Sequence, residues 1–187
     1  MIVKKYSEKT AAAVLNGVLK EARGHARESL WYTWRDDDGR QCAVDGFRAF
    51  RLDVPIDSLP EMPEGMTPVN LKAIYDLAQA GTMQELEAPD PADLDALIAY
   101  DRQCKGRKNN LYMFGQGLPV VNAKFLRDAL RVFPDARLYC RDVISGIVFK
   151  SEHGDGLLLP VRIAGDLSRE RRGVIYNLST FAARFAV

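Results

Sequence analysis

The sequence is poor in the residues that carry most catalytic and metal chemistry. Its 187 residues include two histidines and three cysteines. His25 falls near a predicted helix end and His153 in a glycine turn, far apart in sequence. Cys42, Cys104 and Cys140 are odd in number and widely spaced, which gives neither a disulfide framework nor a metal knuckle. They read as buried free thiols. There is no nucleophile elbow, no phosphate-cradling glycine loop and no cluster with metal-ligand spacing. The "GQG" at Gly115 is too short to hold a phosphate and reads as a bend, and Asp36, Asp37 and Asp38 lack spaced partner ligands and read as a solvated turn. The expectation is a protein that is not an enzyme and uses no cofactor and no metal. No apolar run approaches the roughly 20 residues of a membrane helix. The start "MIVKKYSEKT" has no apolar signal region, so a cytoplasmic protein with no membrane partner is expected.

A strong net charge is missing as well, but the formal +1 hides a segregation along the chain. Residues 1–57 hold ten Lys/Arg and nine Asp/Glu, residues 58–104 two against nine, and residues 105–187 fourteen against seven. An acidic middle interrupts a framework that is basic in sum. Apolar residues make up 47% and charged residues 27%, ordinary values for a globular chain able to bury a core.

The periodicities predict an α+β chain. "MIVKKY" suits a first strand. Ser7 then caps a helix whose apolar positions are Ala11, Val14, Leu15, Val18, Leu19 and Ala22, with Gly24 as its stop. "SLWYTWR" reads as a strand. Asp38-Gly39 turns it into a long extended segment, "RQCAVDGFRAFRLDVP". The second Asp-Gly pair, Asp45-Gly46, lies only seven residues on, so it is expected to kink or bulge that segment, a second hairpin being the alternative. The acidic stretch contains two predicted helices. One has Thr67 as N-cap, Pro68 at the first helical position and Leu71, Ile74, Leu77 and Ala78 on one face; the other starts at Asp90-Pro91 with Leu94, Leu97 and Ile98 as its stripe. "NLYMFGQGLPVV" reads as strand and loop. A helix follows from Asn122 to Pro134, then strands "RLYCRDV", "GIVFKS" and "LLLPVRI", and a tail suited to one strand and one short helix. Without the acidic stretch the order is strand, helix, three extended pieces, used twice.

The two framework helices share one further feature. Opposite its apolar face the first gathers Lys9, Lys20, Arg23 and Arg27, and the second gathers Lys124, Arg127 and Arg131 at i, i+3 and i+7. Lys and Arg commonly fill the outer face of any helix. These stripes are nearly one-signed, however: Glu21 and Glu28 lie off the centre of the first, and only Asp128 interrupts the second. Such stripes suit phosphates, without the side-chain mixture that reads base edges.

Three motifs in order carry a resemblance. "DDDGRQCAVDGFRAFRLDVPI" resembles the "T-D-G-[YH]-R-L-A" strand and "VP" exit of bacterial DNA sliding clamps, the β subunit of DNA polymerase III. Val44, Phe47 and Ala49 depart from that signature. "NAKFLRDAL" resembles the asparagine-capped clamp helix, and "LPVRI" the closing clamp strand. The resemblance implies a DNA-clamp fold, with two helices on an antiparallel sheet and a helical insertion. Its single module would span 1–163, interrupted by an acidic insertion at 58–108 and followed by a C-terminal extension at 164–187. It implies double-stranded DNA as partner, met by Lys20, Arg23, Arg27, Arg48, Lys124, Arg127 and Arg131. Edge-to-edge self-association into a ring and contacts with replication or repair proteins are implied too. The chain differs in having length for one module where a clamp subunit has three. The competing reading is an adaptor that keeps the fold without encircling DNA, its acidic helices docking a basic partner or covering the module's own basic face.

Overall fold

The computed structural model describes residues 5–24, 26–103, 111–161 and 175–176. The architecture is α+β, with four α-helices and a mostly antiparallel sheet among the described residues. The order is α1 (Glu8–Ala22), a 3₁₀ turn (Glu28–Trp31), β1 (Trp34–Arg35), β2 (Gln41–Val44), β3 (Arg48–Leu52), α2 (Leu71–Gln79), β4 (Gln84–Leu86) and α3 (Pro91–Gln103). There follow β5 (Leu111–Met113), β6 (Val120–Asn122), α4 (Ala123–Val132), β7 (Arg137–Cys140), β8 (Ile147–Ser151), β9 (Gly154–Leu158) and β10 (Ile175–Tyr176).

Seven strands form one sheet in the order β1-β2-β3-β9-β8-β7-β4. Apart from β4 this order is a palindrome of two three-strand units, joined where β3 pairs antiparallel with β9 from Arg48↔Leu158 to Leu52↔Gly154. Helices α1 and α4 lie together on one face. Ala11, Leu15, Val18 and Leu19 of α1 and Leu126, Ala129 and Leu130 of α4 share a core with Phe50, Leu52, Phe149 and Leu158 of the strands. The opposite face carries α2, whose Leu71, Tyr75 and Ala78 pack on Cys42, Val44, Ala49, Val148 and Leu157. Alternation along a strand assigns each residue its face: in β3, Phe50 and Leu52 point to α1 and α4, while Ala49 points to α2. A smaller sheet, β10-β5-β6, adds Tyr112 and Val121 to the main core.

Helix ends follow the capping chemistry of the sequence at two sites. Ser7 Oγ accepts from Thr10 N at 3.4 Å, and Asn122 Oδ1 accepts from Lys124 N at 2.9 Å. Five expectations are corrected. Arg40 to Val54 is not one kinked strand: Val44 pairs with Ala49, and the chain reverses at Asp45 through Gly46 and Phe47. Gly46 takes φ 91°, as the first central residue of a two-residue hairpin turn of this hand requires. Asp45 Oδ1 accepts from Phe47 N and Arg48 N, both at 2.8 Å, so the turn is held by its own aspartate. Half of "SLWYTWR" is a 3₁₀ turn, with Trp31 Nε1 donating to Ala26 O at 3.1 Å. Helix α2 begins three residues later than its Thr-Pro start, because Asn70 Oδ1 caps Ala73 N at 3.2 Å. Its buried face is Leu71, Tyr75 and Ala78, which leaves Leu77 71% exposed. The glycine-rich turn before the last framework strand shrinks to Glu152-His153, since β9 starts at Gly154.

The acidic stretch is built into both layers. Leu86 of β4 and Leu94, Leu97 and Ile98 of α3 belong to the main core, and β4 extends the sheet by pairing with β7. The expected first strand falls mainly on 1–4, outside the described residues, and Lys5 and Tyr6 are in no strand. Most of the extension at 164–187 also lies outside them.

Candidate nucleic-acid interface

The seven cations singled out in the sequence separate into two groups. Arg48 is 2% exposed, because β3 aims it at the helix layer between α1 and α4. Its Nε and Nη2 donate to Asp45 Oδ2 at 2.9 and 2.6 Å, its Nη1 to Asp128 Oδ2 at 2.6 Å, and its Nη2 to Glu21 Oε2 at 2.8 Å. The guanidinium also lies 4.1 Å from the centroid of Phe125. It is withdrawn as a nucleic-acid contact. A charge so enclosed holds its protein partners and has no surface to offer a phosphate.

The α4 cations extend the same network. Lys124 donates to Glu21 Oε1, so Glu21 bridges α4 to Arg48. Arg127 Nη2 donates to Asp128 Oδ1 at 2.7 Å and its Nη1 to Asp95 Oδ1 at 3.0 Å. Arg131 Nη2 donates to the other oxygen of Asp95. Arg48, Lys124, Arg127 and Arg131 thus alternate with Glu21, Asp45, Asp128 and Asp95, four cations and four carboxylates with no net charge. Burial lowers the pKa of Lys124, and the charge of Arg127 adds to that, against the opposing charge of Asp128. Burial also pulls on Arg127, but hydrogen bonds and charge from Asp128 and Asp95 outweigh it and raise its pKa.

Asp95 reaches this site because α3 is anchored against α4. Leu94, Leu97 and Ile98 are buried in the core that α4 helps to form. At about 2 kcal/mol for each fully buried aliphatic side chain, burying these three in the shared core is worth roughly 6 kcal/mol. One phosphate contact is far too weak to lift the helix, so α3 is a fixed part of the surface beside α4. A cleft of about 300 Å³ remains where α3 meets the start of α1, lined by Lys5, Ser7, Thr10, Asp95 and Arg131 among others.

The first stripe differs. The expected single helical stripe is corrected, since α1 ends at Ala22, Arg23 is its C-cap and Arg27 precedes the 3₁₀ turn. Lys9, Lys20, Arg23 and Arg27 are all exposed, and none makes an ion pair among the described residues. Glu21, the carboxylate within that helix nearest in sequence to Lys20 and Arg23, is turned toward Arg48 and Lys124. Sequence reasoning placed both stripes alike; its competing reading, acidic helices covering the module's own basic face, agrees with Asp95 on Arg127 and Arg131 without having named it, and Glu21 and Asp128 were not read as partners. The acidic charge of the 58–104 stretch was the available signal.

On the other sheet face Arg51 donates to both oxygens of Asp155 at 2.7 Å and lies 3.9 Å from the centroid of Tyr75. Burial raises the Tyr75 pKa well above the usual phenol range. These contacts fasten α2 to the sheet. No group of acidic, histidine or cysteine side chains among the described residues is arranged to hold a metal ion. No helix of the described residues is long and apolar enough to cross a membrane.

No family model matches the chain, and no curated protein matches it in sequence. Among solved structures it is similar to the crystal structure of a "Putative DNA polymerase III beta subunit" from Eubacterium rectale ATCC 33656, with a TM-score of 0.50 and 11% identity. The match covers 82% of this chain and 64% of that one, so the chain spans less than two thirds of its neighbour's length. At that identity the likeness is one of fold, and the fold of this chain is clamp-like.

Proposed function

We propose that this protein associates with double-stranded DNA without sequence preference, through Lys20 of α1, Arg23 at its C-cap and Arg27 just beyond it. One observation carries the reading: on a clamp-like fold, these cations are exposed while the nearby carboxylate Glu21 is engaged elsewhere. Free cations along a helix attract phosphates and release counterions on contact. The role is one of binding rather than catalysis, with the module assembling edge to edge and serving replication or repair proteins on DNA. The test is duplex binding measured across salt concentrations. The wild-type protein is expected to bind at low salt with affinity falling steeply as salt rises. Arg23→Glu with Arg27→Glu should weaken binding at least tenfold and flatten the log–log salt slope by about 2, at roughly 0.9 per phosphate contact. Absence of wild-type binding at low salt would sink the reading. Sedimentation with and without DNA tests the assembly.

A second reading is an adaptor that docks a partner protein through the acidic stretch. It is favoured by the outward turn of α2, where Ile74 and Leu77 join Ile144 and Leu159 in one exposed apolar groove. A protein that stays monomeric and ignores DNA would point this way.

A further inference from the structure

We propose that Asp95 acts as an internal stand-in for a phosphate, holding the α4 arginines out of nucleic-acid binding; this regulation rests on the DNA reading above. Its two carboxylate oxygens are divided between two guanidinium groups, Oδ1 taking Arg127 Nη1 at 3.0 Å and Oδ2 taking Arg131 Nη2. A phosphate bridging two arginines one helical turn apart would use the same donors. The contact is not sealed: the side chains of Asp95 and Arg131 are 38% and 41% exposed, at the cleft that also holds Lys5. Competition is therefore local to the side chains, with α3 staying in place on Leu94, Leu97 and Ile98. Removing the carboxylate charge frees Arg131 most, since Arg127 keeps Asp128 at 2.7 Å. Arg131 would then offer a separate phosphate contact at the start of α1, the opposite end of that helix from Lys20 and Arg23.

The experiment compares Asp95→Asn with Asp93→Asn, which removes the same charge from the same helix at an exposed position that makes no ion pair among the described residues. Both are titrated with duplex DNA and, separately, with tripolyphosphate, after thermal unfolding has shown that each variant folds. Asp95→Asn is expected to bind both ligands threefold to tenfold more tightly than wild type and to steepen the DNA salt slope by about 1. Asp93→Asn should move either value less than twofold. Equal gains in the two variants, or no gain in Asp95→Asn, would overturn the proposal. A gain for tripolyphosphate with no DNA binding by any form would uphold the stand-in role and end the DNA reading. Arg131→Gln gives a second check that does not depend on Asp95→Asn folding. In the wild-type background it should leave DNA affinity unchanged, because its partner is already internal. A loss as large as that from Arg23→Gln would overturn the proposal.

Discussion

Helices α1 and α4 are associated with the same spacing of cations in sequence but hold them in different surroundings. Both have basic residues spaced i, i+3 and i+7 in sequence, all inside α4 but running from Lys20 past the end of α1, and both helices lie on the same sheet face in matching halves of the strand order. Lys20, Arg23 and Arg27 make no ion pair among the described residues, while on α4 each of Lys124, Arg127 and Arg131 meets a carboxylate. The difference comes from neighbours supplied by distant parts of the chain: Asp95 from α3 and Glu21 from α1 itself. A charge stripe on a helix is therefore a statement about one element, and its availability is decided by what packs beside that element.

The hardest test of the comparison removes the residue that joins the two halves. Arg48→Met keeps an apolar side chain against Phe125 but leaves Asp45 and Asp128 without their common partner. Both carboxylates are largely buried, so the expected loss is about 3–5 kcal/mol, read from urea unfolding. Adding Asp45→Asn and Asp128→Asn should restore part of it, since uncharged amides need no counter-ion. A loss below about 1 kcal/mol would mean that the network does not join α1 to α4 energetically.

A smaller effect separates the stripes directly. Arg127→Gln with Arg131→Gln should cost about 2 kcal/mol, mostly from the largely buried Arg127–Asp128 contact, since the Asp95 contacts are partly exposed and screened, and should leave the salt slope of DNA binding unchanged. Lys20→Gln with Arg23→Gln should do the reverse, costing nearly nothing in the urea midpoint and reducing the slope by about 2. If both pairs behave alike, the division drawn between α1 and α4 is wrong.

What was legible in the sequence follows the range of the interaction. Helix α1 and helix α4 were read from caps and spacing because Ser7 and Asn122 act within three residues of themselves. The clamp-like strands were read from their apolar runs. The hairpin at Asp45 was missed because four residues seemed too few for a strand between two turns. Gln41–Val44 suffices because it is paired on both sides, with β1 and with β3. Arg48 was assigned to DNA because one of its partners lies 80 residues away, at Asp128. The face of α2 was misread by one position, since Tyr75 rather than Ile74 finds Arg51 and the sheet. Asp95 looked like one carboxylate in an acidic run, and only the packing of Leu94 and Leu97 decides which way it points.

The two halves can also be compared at their equivalent outer turns, where the expected effect is smallest. Between β1 and β2, Asp36 Oδ1 accepts from Asp38 N and Arg40 N at 3.1 and 2.9 Å. Between β7 and β8, Asp142 Oδ1 accepts from Ile144 N and Ser145 N at 2.9 and 2.6 Å. The backbone hydrogen bond from Ile144, followed by that from the Arg141 side chain and the backbone of Ser145, lowers the Asp142 pKa to about 2. A carboxyl depressed in the folded state contributes stability above its unfolded value, near 4, and loses it as pH falls toward the folded value. The Asp142 carboxyl carbon should therefore titrate in NMR near pH 2, and the turn should loosen only below the ordinary carboxylate range. A midpoint near 4 would show that these donors do not hold the charged form, and that the second half lacks the aspartate-pinned turn seen in the first.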